Sequence, residues 1–124
     1  MLLRGSEAPW LKSSSAAESA EELPTYVTDG CQLYRTSDGS LIMLWSSYEK
    51  GSYVQTSARS ESGRLEGPWM QLEPLVKEDS GHGMLFRAFD GSWKLVLHRP
   101  FQMPDSRAYL YDIEDAGDRF KLAD

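Results

Sequence analysis

Beyond Pro24 the sequence alternates short runs rich in β-branched and aromatic residues with turn-forming dipeptides, the texture of strands and not of helices. It predicts strands near 31–36, 40–46, 52–59, 69–73, 82–88, 92–98 and 107–114. Asp38-Gly39 and Asp90-Gly91 each stand between adjacent runs of this kind, the strongest short-range hairpin signal. Ser62-Gly63 and Gly67-Pro68 break the chain between the next pair. Ahead of this region, residues 12–24 are acidic and serine-rich without a sustained apolar stripe, which predicts a solvated loop. The expected fold class is all-β.

An internal repeat refines this. The segment LYRTSDGSLIML from Leu33 resembles LFRAFDGSWKLVL from Leu85, and the steps from Arg35 to Arg87, Asp38 to Asp90, Gly39 to Gly91 and Ser40 to Ser92 are all 52 residues. A period of about 50 residues with several short strands per repeat is the length of a propeller blade. The repeat divides the domain, residues 1–124, into blade-like units at 25–75 and 76–124, with an ordinary sandwich as the alternative. A propeller closes with about four to eight blades, so a pair of them would make an incomplete, partial β-propeller.

With 124 residues the chain is long enough to bury about two-thirds of its unfolded surface. Thirteen basic against nineteen acidic side chains leave a net charge of −6, which argues against a phosphate backbone as partner. The single cysteine, Cys31, has no partner for an internal disulfide, and no Cys/His cluster has zinc spacing. The opening MLLRGSEAPW is too short for a secretory leader, and no run approaches a membrane span. The expectation is a soluble chain with no nucleic-acid or membrane partner.

Both histidines fall in residues 79–100, DSGHGMLFRAFDGSWKLVLHRP. His82 stands between two glycines at the entry of a strand, where missing Cβ atoms let another segment approach the backbone closely. By itself this is a tight strand entry or the floor of a site. Asp29, before Gly30, reads as a turn residue satisfying local amides. Trp45 reads as core, the alternative being a sugar platform. Trp69 reads as packing under an outer turn, and Asp112, Glu114, Asp115 and Asp118 read as a solvated strand end.

In combination, YVTDGCQLYRTSDGSLIMLWSS, SARSESGRLEGPW and DSGHGMLFRAFDG resemble the C-terminal portion of the five-bladed β-propeller glycoside hydrolases of family 43, the arabinanases, α-L-arabinofuranosidases and β-xylosidases. SEAPW also matches a segment that commonly precedes the blade. The resemblance implies an inverting glycosidase acting on arabinose- or xylose-containing plant polysaccharide. It places Asp29 at the general acid position and assigns the general base and a pKa-tuning aspartate to N-terminal blades outside this sequence. Inversion needs carboxyl groups about 6.5–9.5 Å apart, and Asp29 supplies one of them. Such an acid must have its pKa raised.

The same resemblance turns His82 toward a central channel, where it faces a calcium or other ion directly or through water. It implies no required cofactor and allows a calcium ion in the complete propeller, which takes about six to eight oxygen ligands, so His82 would be a small contributor to any such site. Arg107 aligns loosely with an arginine near the pocket, its alternative being a surface arginine. Localisation is open, members of the family often being secreted or periplasmic. Three features depart from the family pattern: Cys31 stands where proline is common, Gln32 replaces the usual aromatic, and His98-Arg99-Pro100-Phe101 replaces His-x-Pro-Asn. The expected function is that of a C-terminal fragment of such an enzyme, inactive alone. The alternative is a noncatalytic carbohydrate-binding or self-assembling module. Either form is expected to self-associate through its open blade edges or faces.

Overall fold

The computed structural model of the chain describes residues 1–10 and 26–124, so the acidic loop expected at 12–24 lies outside them. A 3-10 turn at Gly5–Glu7 precedes the strands. The first antiparallel sheet runs in the order β1 (Asp29–Arg35), β2 (Leu41–Glu49), β3 (Ser52–Ser60), β4 (Trp69–Gln71). The second repeats that order with β5 (Gly81–Arg87), β6 (Trp93–Arg99), β7 (Arg107–Asp115) and β8 (Phe120–Leu122). This is the all-β, partial propeller of two blades that the repeat implied, each sheet a four-stranded meander. All seven expected strands are present. β8 is an eighth, three residues long, too short to show a period in the sequence.

The repeat has a physical cause in the two Asp-Gly hairpins, which share one set of hydrogen bonds. Gly39 N donates to Thr36 O and Gly91 N to Ala88 O, at 3.0 and 2.9 Å. Asp38 and Asp90 each accept the amide of the serine two residues on, both at 2.9 Å. Arg35 and Arg87 reach across to the carbonyls of Gly39 and Gly91 at 2.9 and 2.8 Å. Each of the four repeated residue types thus has a fixed task, and the turn is a type I turn closed by a glycine at positive φ (88° and 85°). The β2–β3 hairpin instead uses Lys50 and Gly51, both at positive φ, as a two-residue loop.

The core lies between the sheets. Ile42 and Leu44 of β2 meet Leu85, Leu95 and Leu97 of the second sheet, with Val76, Ile113 and Phe120 completing the cluster. Side chains alternate faces along a strand, so Trp45 points away from this cluster and packs instead with Ala8, Trp10 and Val54. The N-terminal segment thereby covers the outer face of the first sheet. The equivalent outer face of the second sheet leaves Met84, Phe86 and Leu110 exposed. Trp69 folds over the Gly67 turn and donates Nε1 to Leu65 O at 2.9 Å, as expected of it.

The acidic residues in and just after β7 are solvent-exposed, as expected of a strand end, and they are also paired. Asp115 accepts the Ser37 amide at 2.7 Å and its hydroxyl at 3.1 Å, tying the β1–β2 turn of the first sheet to the end of β7 in the second. Asp118 pairs with Arg59 at 3.2 Å and Arg119 at 2.9 Å, Glu114 with Lys121 at 3.4 Å, and Asp112 with Lys94. Their donors come from strands and loops brought together by folding, which the linear pattern does not display.

Leu95 is fully buried, whereas Leu110, on the outer face of the same sheet, is 65% exposed. Leu95→Ala is expected to cost about 2–5 kcal/mol by urea denaturation, and Leu110→Ala about 0.5 kcal/mol or less. Equal losses at the two positions would place the core elsewhere.

Candidate active site

β1 and β5 open their sheets with the same irregularity. In β1 the pairing steps from Asp29–Ser46 to Gln32–Leu44, and in β5 from Gly81–His98 to Met84–Val96. Each strand therefore carries an extra residue, a bulge that bends it and re-aims a side chain. The bulged positions, Gly30 and His82, are 52 residues apart, so they are the same position of the repeat. Both adopt a left-handed backbone, φ 58° and 52°. Glycine does so freely; at His82 the conformation costs energy and is held by its surroundings. A Cβ on Gly30 would lie 3.3 Å from His82 Cα and from its ring, so glycine here lets the two bulges touch.

This contact sets Asp29 beside the imidazole. His82 Nδ1 lies 3.3 Å from Asp29 Oδ2, with the two side chains 56% and 44% exposed. Tyr53 donates its hydroxyl to the same Oδ2 at 2.8 Å, and the Gly30 amide donates to Oδ1 at 2.8 Å. Partial burial works to raise the Asp29 carboxyl. The Tyr53 hydrogen bond, the His82 charge and hydrogen bond, and the Gly30 amide together outweigh it and hold the group below the ordinary aspartate range. A general acid needs the opposite shift. Within this chain Asp29 is a carboxylate at neutral pH, serving as both a local amide acceptor and the partner of an imidazole. The Tyr53 hydroxyl is pushed far up, by burial first and then by Asp29, and stays a donor.

The glycines around His82 have distinct neighbours. A Cβ on Gly81 would come 2.7 Å from the Tyr53 ring, and one on Gly83 within 2.5 Å of Gln55 Oε1. In that space His82 N donates to Ser46 Oγ at 2.8 Å and Gly83 N to Gln55 Oε1 at 2.6 Å. Ser46 Oγ donates to the same Oε1 at 3.2 Å, while Gln55 Nε2 donates to Trp45 O at 2.9 Å. Ser46 and Gln55 are fully buried, so these partners are what makes their burial tolerable. The close approach anticipated from Gly-His-Gly is present, and it seats the imidazole on the first sheet.

The remaining candidates, Trp45 and Arg107, each border a cavity with one member of this pair. Trp45, 1% exposed, lies tilted against Trp10 at 5.6 Å as a core residue, with its edge lining a small cavity of about 170 Å³ that Asp29 also borders. Arg107 is exposed and donates to the carbonyls of Pro104 and Ser106 at 2.6 and 2.8 Å, yet it borders the same cleft as His82, about 330 Å³ in volume. Among the described residues no three His, Cys, Asp or Glu side chains converge as a metal site. Asp29 Oδ2 already lies within reach of both Tyr53 and His82, and among the described residues no oxygen shell of a calcium ion gathers around it.

Tyr53 escaped the sequence reading. It is 24 residues from Asp29 and reads as an ordinary strand aromatic; the only hint was that Gly81 makes room for something. His98, opposite Gly81 in the β5–β6 register, stacks on the Tyr53 ring at 5.5 Å and 23°. The departure noted at His98–Phe101 therefore borders the site, with Phe101 edge-on to Tyr53 at 5.1 Å.

Because the folded Asp29 pKa is depressed, its contribution to stability is present above the unfolded value and is lost as pH falls through the folded one. Urea midpoints measured from pH 6 down to pH 2 are expected to fall less steeply in Asp29→Asn than in the parent protein. Parallel profiles would remove Asp29 from the acid limb.

No family model matches the chain, and no curated protein does. Solved structures do. An endo-arabinase from Bacteroides thetaiotaomicron shares 37% identity and a TM-score of 0.79 over 91% of this chain and 39% of its own. An endo-1,4-β-xylanase from the same organism follows at 22% and 0.66, over 92% and 42%. A thermostable family-43 glycoside hydrolase shares 18% and 0.66, over 92% and 40%. The last two likenesses are of fold. This chain thus spans about two-fifths of the length of each of these proteins. In its repeat and paired meanders the chain shares the fold of part of the family-43 glycoside hydrolases, and at 37% identity it is similar in sequence to about two-fifths of the endo-arabinase.

Proposed function

We propose that this chain supplies one side of the sugar-binding pocket of a glycosidase acting on arabinose- or xylose-containing plant polysaccharide, with Asp29 at the general acid position and His82 beside it. The observation that carries this reading is the Asp29–His82 pair, 3.3 Å apart where the first strands of two sheets touch. Inverting hydrolysis needs a second carboxylate to activate water on the opposite face of the sugar. Asp29 is one carboxyl group, and its depressed pKa favours a charged, substrate-orienting state over proton donation until further negative charge or burial raises it. The chain alone is therefore a pocket without turnover.

The depressed pKa and the open face of the second sheet favour one further reading, a noncatalytic carbohydrate-binding module that assembles with itself. Met84, Phe86 and Leu110 are an apolar set next to strand edges, the kind of surface that recruits partners.

The chain alone is expected to give no hydrolysis of aryl arabinofuranoside or aryl xyloside, and to bind arabino- or xylo-oligosaccharide with at least tenfold loss in Asp29→Asn and His82→Ala. Hydrolysis abolished by Asp29→Asn would mean that self-association completes a catalytic site. Unchanged oligosaccharide binding in both variants would remove the pair from the pocket. Light scattering is expected to show a concentration-dependent dimer that Leu110→Asp disrupts; a monomer throughout the accessible range would end the assembly reading.

A further inference from the structure

Tyr53, on β3 of the first sheet, is the point where the second sheet packs against the donor to Asp29. Its side chain is 1% exposed. His98 stacks on one side of the ring, Phe101 and Tyr48 stand edge-on or tilted at 5.1 and 4.9 Å, and Gly81 leaves the space the ring fills. Its backbone is tied in as well: Asp79 Oδ1 accepts the Tyr53 amide at 3.0 Å, while Asp79 Oδ2 accepts that of Phe101 at 3.1 Å, and Ser80 N donates to Tyr53 O at 2.9 Å. Gly81, His98, Phe101, Asp79 and Ser80 all come from β5, β6 or the segments flanking them. Its hydroxyl points to Asp29 Oδ2 within the first sheet.

We propose that Tyr53 is the positioning residue of the Asp29–His82 pair, through which docking of the second sheet fixes the orientation and charge of the carboxylate on the first. Its functional meaning rests on the reading of Asp29 as a pocket residue. A donor at 2.8 Å stabilises the carboxylate over the carboxylic acid. It also occupies one lone pair of Oδ2, so the oxygen must present its other side to His82 Nδ1. The titratable groups facing this pair are His82 from β5, His98 from β6, Tyr48 from β2, and Asp79 from the segment before β5. Of these, His82 bonds Asp29 directly, His98 packs on the Tyr53 and Phe101 rings, and Asp79 is spent on backbone amides. Tyr53 is accordingly the neutral lever on Asp29: removing its hydroxyl changes no net charge at neutral pH, and returns the carboxyl toward the protonated state that an acid requires.

The test is a ¹³C-carboxyl NMR titration of Asp29 in the full chain, without substrate. The Asp29 midpoint is expected to move up in Tyr53→Phe, which keeps the ring packing. It is expected to move up also in Gly81→Ala, whose new methyl displaces the ring from across the sheet interface. A midpoint unmoved in Tyr53→Phe, with a native amide spectrum, would overturn the proposal, since a merely structural tyrosine alters stability and leaves the titration alone. Should either variant not fold, the parent protein answers the question: the Tyr53 ¹³Cζ resonance should step at the Asp29 midpoint, and its failure to do so overturns the proposal equally. None of these readouts involves a sugar, so failed oligosaccharide binding with a shifted midpoint rejects the pocket and keeps the tyrosine's role. An unmoved midpoint with intact binding does the reverse.

Discussion

The approach of β5 to the first sheet is the constraint on which the rest depends. At Gly81 and Gly83 a single methyl group would collide with the Tyr53 ring or the Gln55 amide. With hydrogen in its place, the Gly83 and His82 amides find acceptors inside the neighbouring sheet. A net hydrogen bond of this kind is worth about 1 kcal/mol, but a buried amide left without its partner costs about 1–3 kcal/mol. The arrangement thus stabilises mainly by specifying one register: slide β5 by a residue and Gln55, fully buried, loses its donor while Cβ atoms enter the ring space. Ile42 and Leu44 can meet Leu85, Leu95 and Leu97 only in that register.

The same bulge occurring twice shows how a repeat is turned to two uses. Gly30 and His82 share a position, a left-handed backbone and a bend. At the first, glycine adopts the conformation without strain and clears the way for its counterpart. At the second, a histidine bears the strain and projects a ring from the bend. Local preference is broken at the one place where Ser46 Oγ, Asp29 and the glycines can hold the alternative in place. Strained residues of this kind concentrate at functional positions.

Electrostatically the site is a carboxylate with three donors, shaped for holding charge. A carboxyl group that shuttles a proton needs an environment hostile to its charged form, whereas here hydroxyl, imidazole and amide all favour it. The polar end of the molecule and its core share the same residues: Tyr53 is at once ring packing for the sheet interface and hydrogen-bond donor to Asp29. Substituting it therefore touches architecture and site together, unless only the oxygen is removed.

Much of the architecture was legible in the chain. Strand runs, Asp-Gly turns and the 52-residue step are local or periodic signals, and hairpin hydrogen bonds repeat wherever the same four residue types recur. Asp29 and His82 stood out through their glycine neighbours, but those neighbours alone gave a turn residue and a tight strand entry, and only the resemblance put them in a site. β8 was not legible, because three residues carry no period. The pairing of the acidic residues of β7 was hidden because their donors, Ser37 and Arg59 among them, lie up to 78 positions away. Tyr53 as the donor and the depressed Asp29 carboxyl were decided by tertiary structure alone. Which face of a strand is buried, and what stands opposite a carboxylate, depend on how two sheets meet. The sequence by itself determined the units and their turns; the distance between those units, set by two missing side chains at Gly81 and Gly83, decided the chemistry.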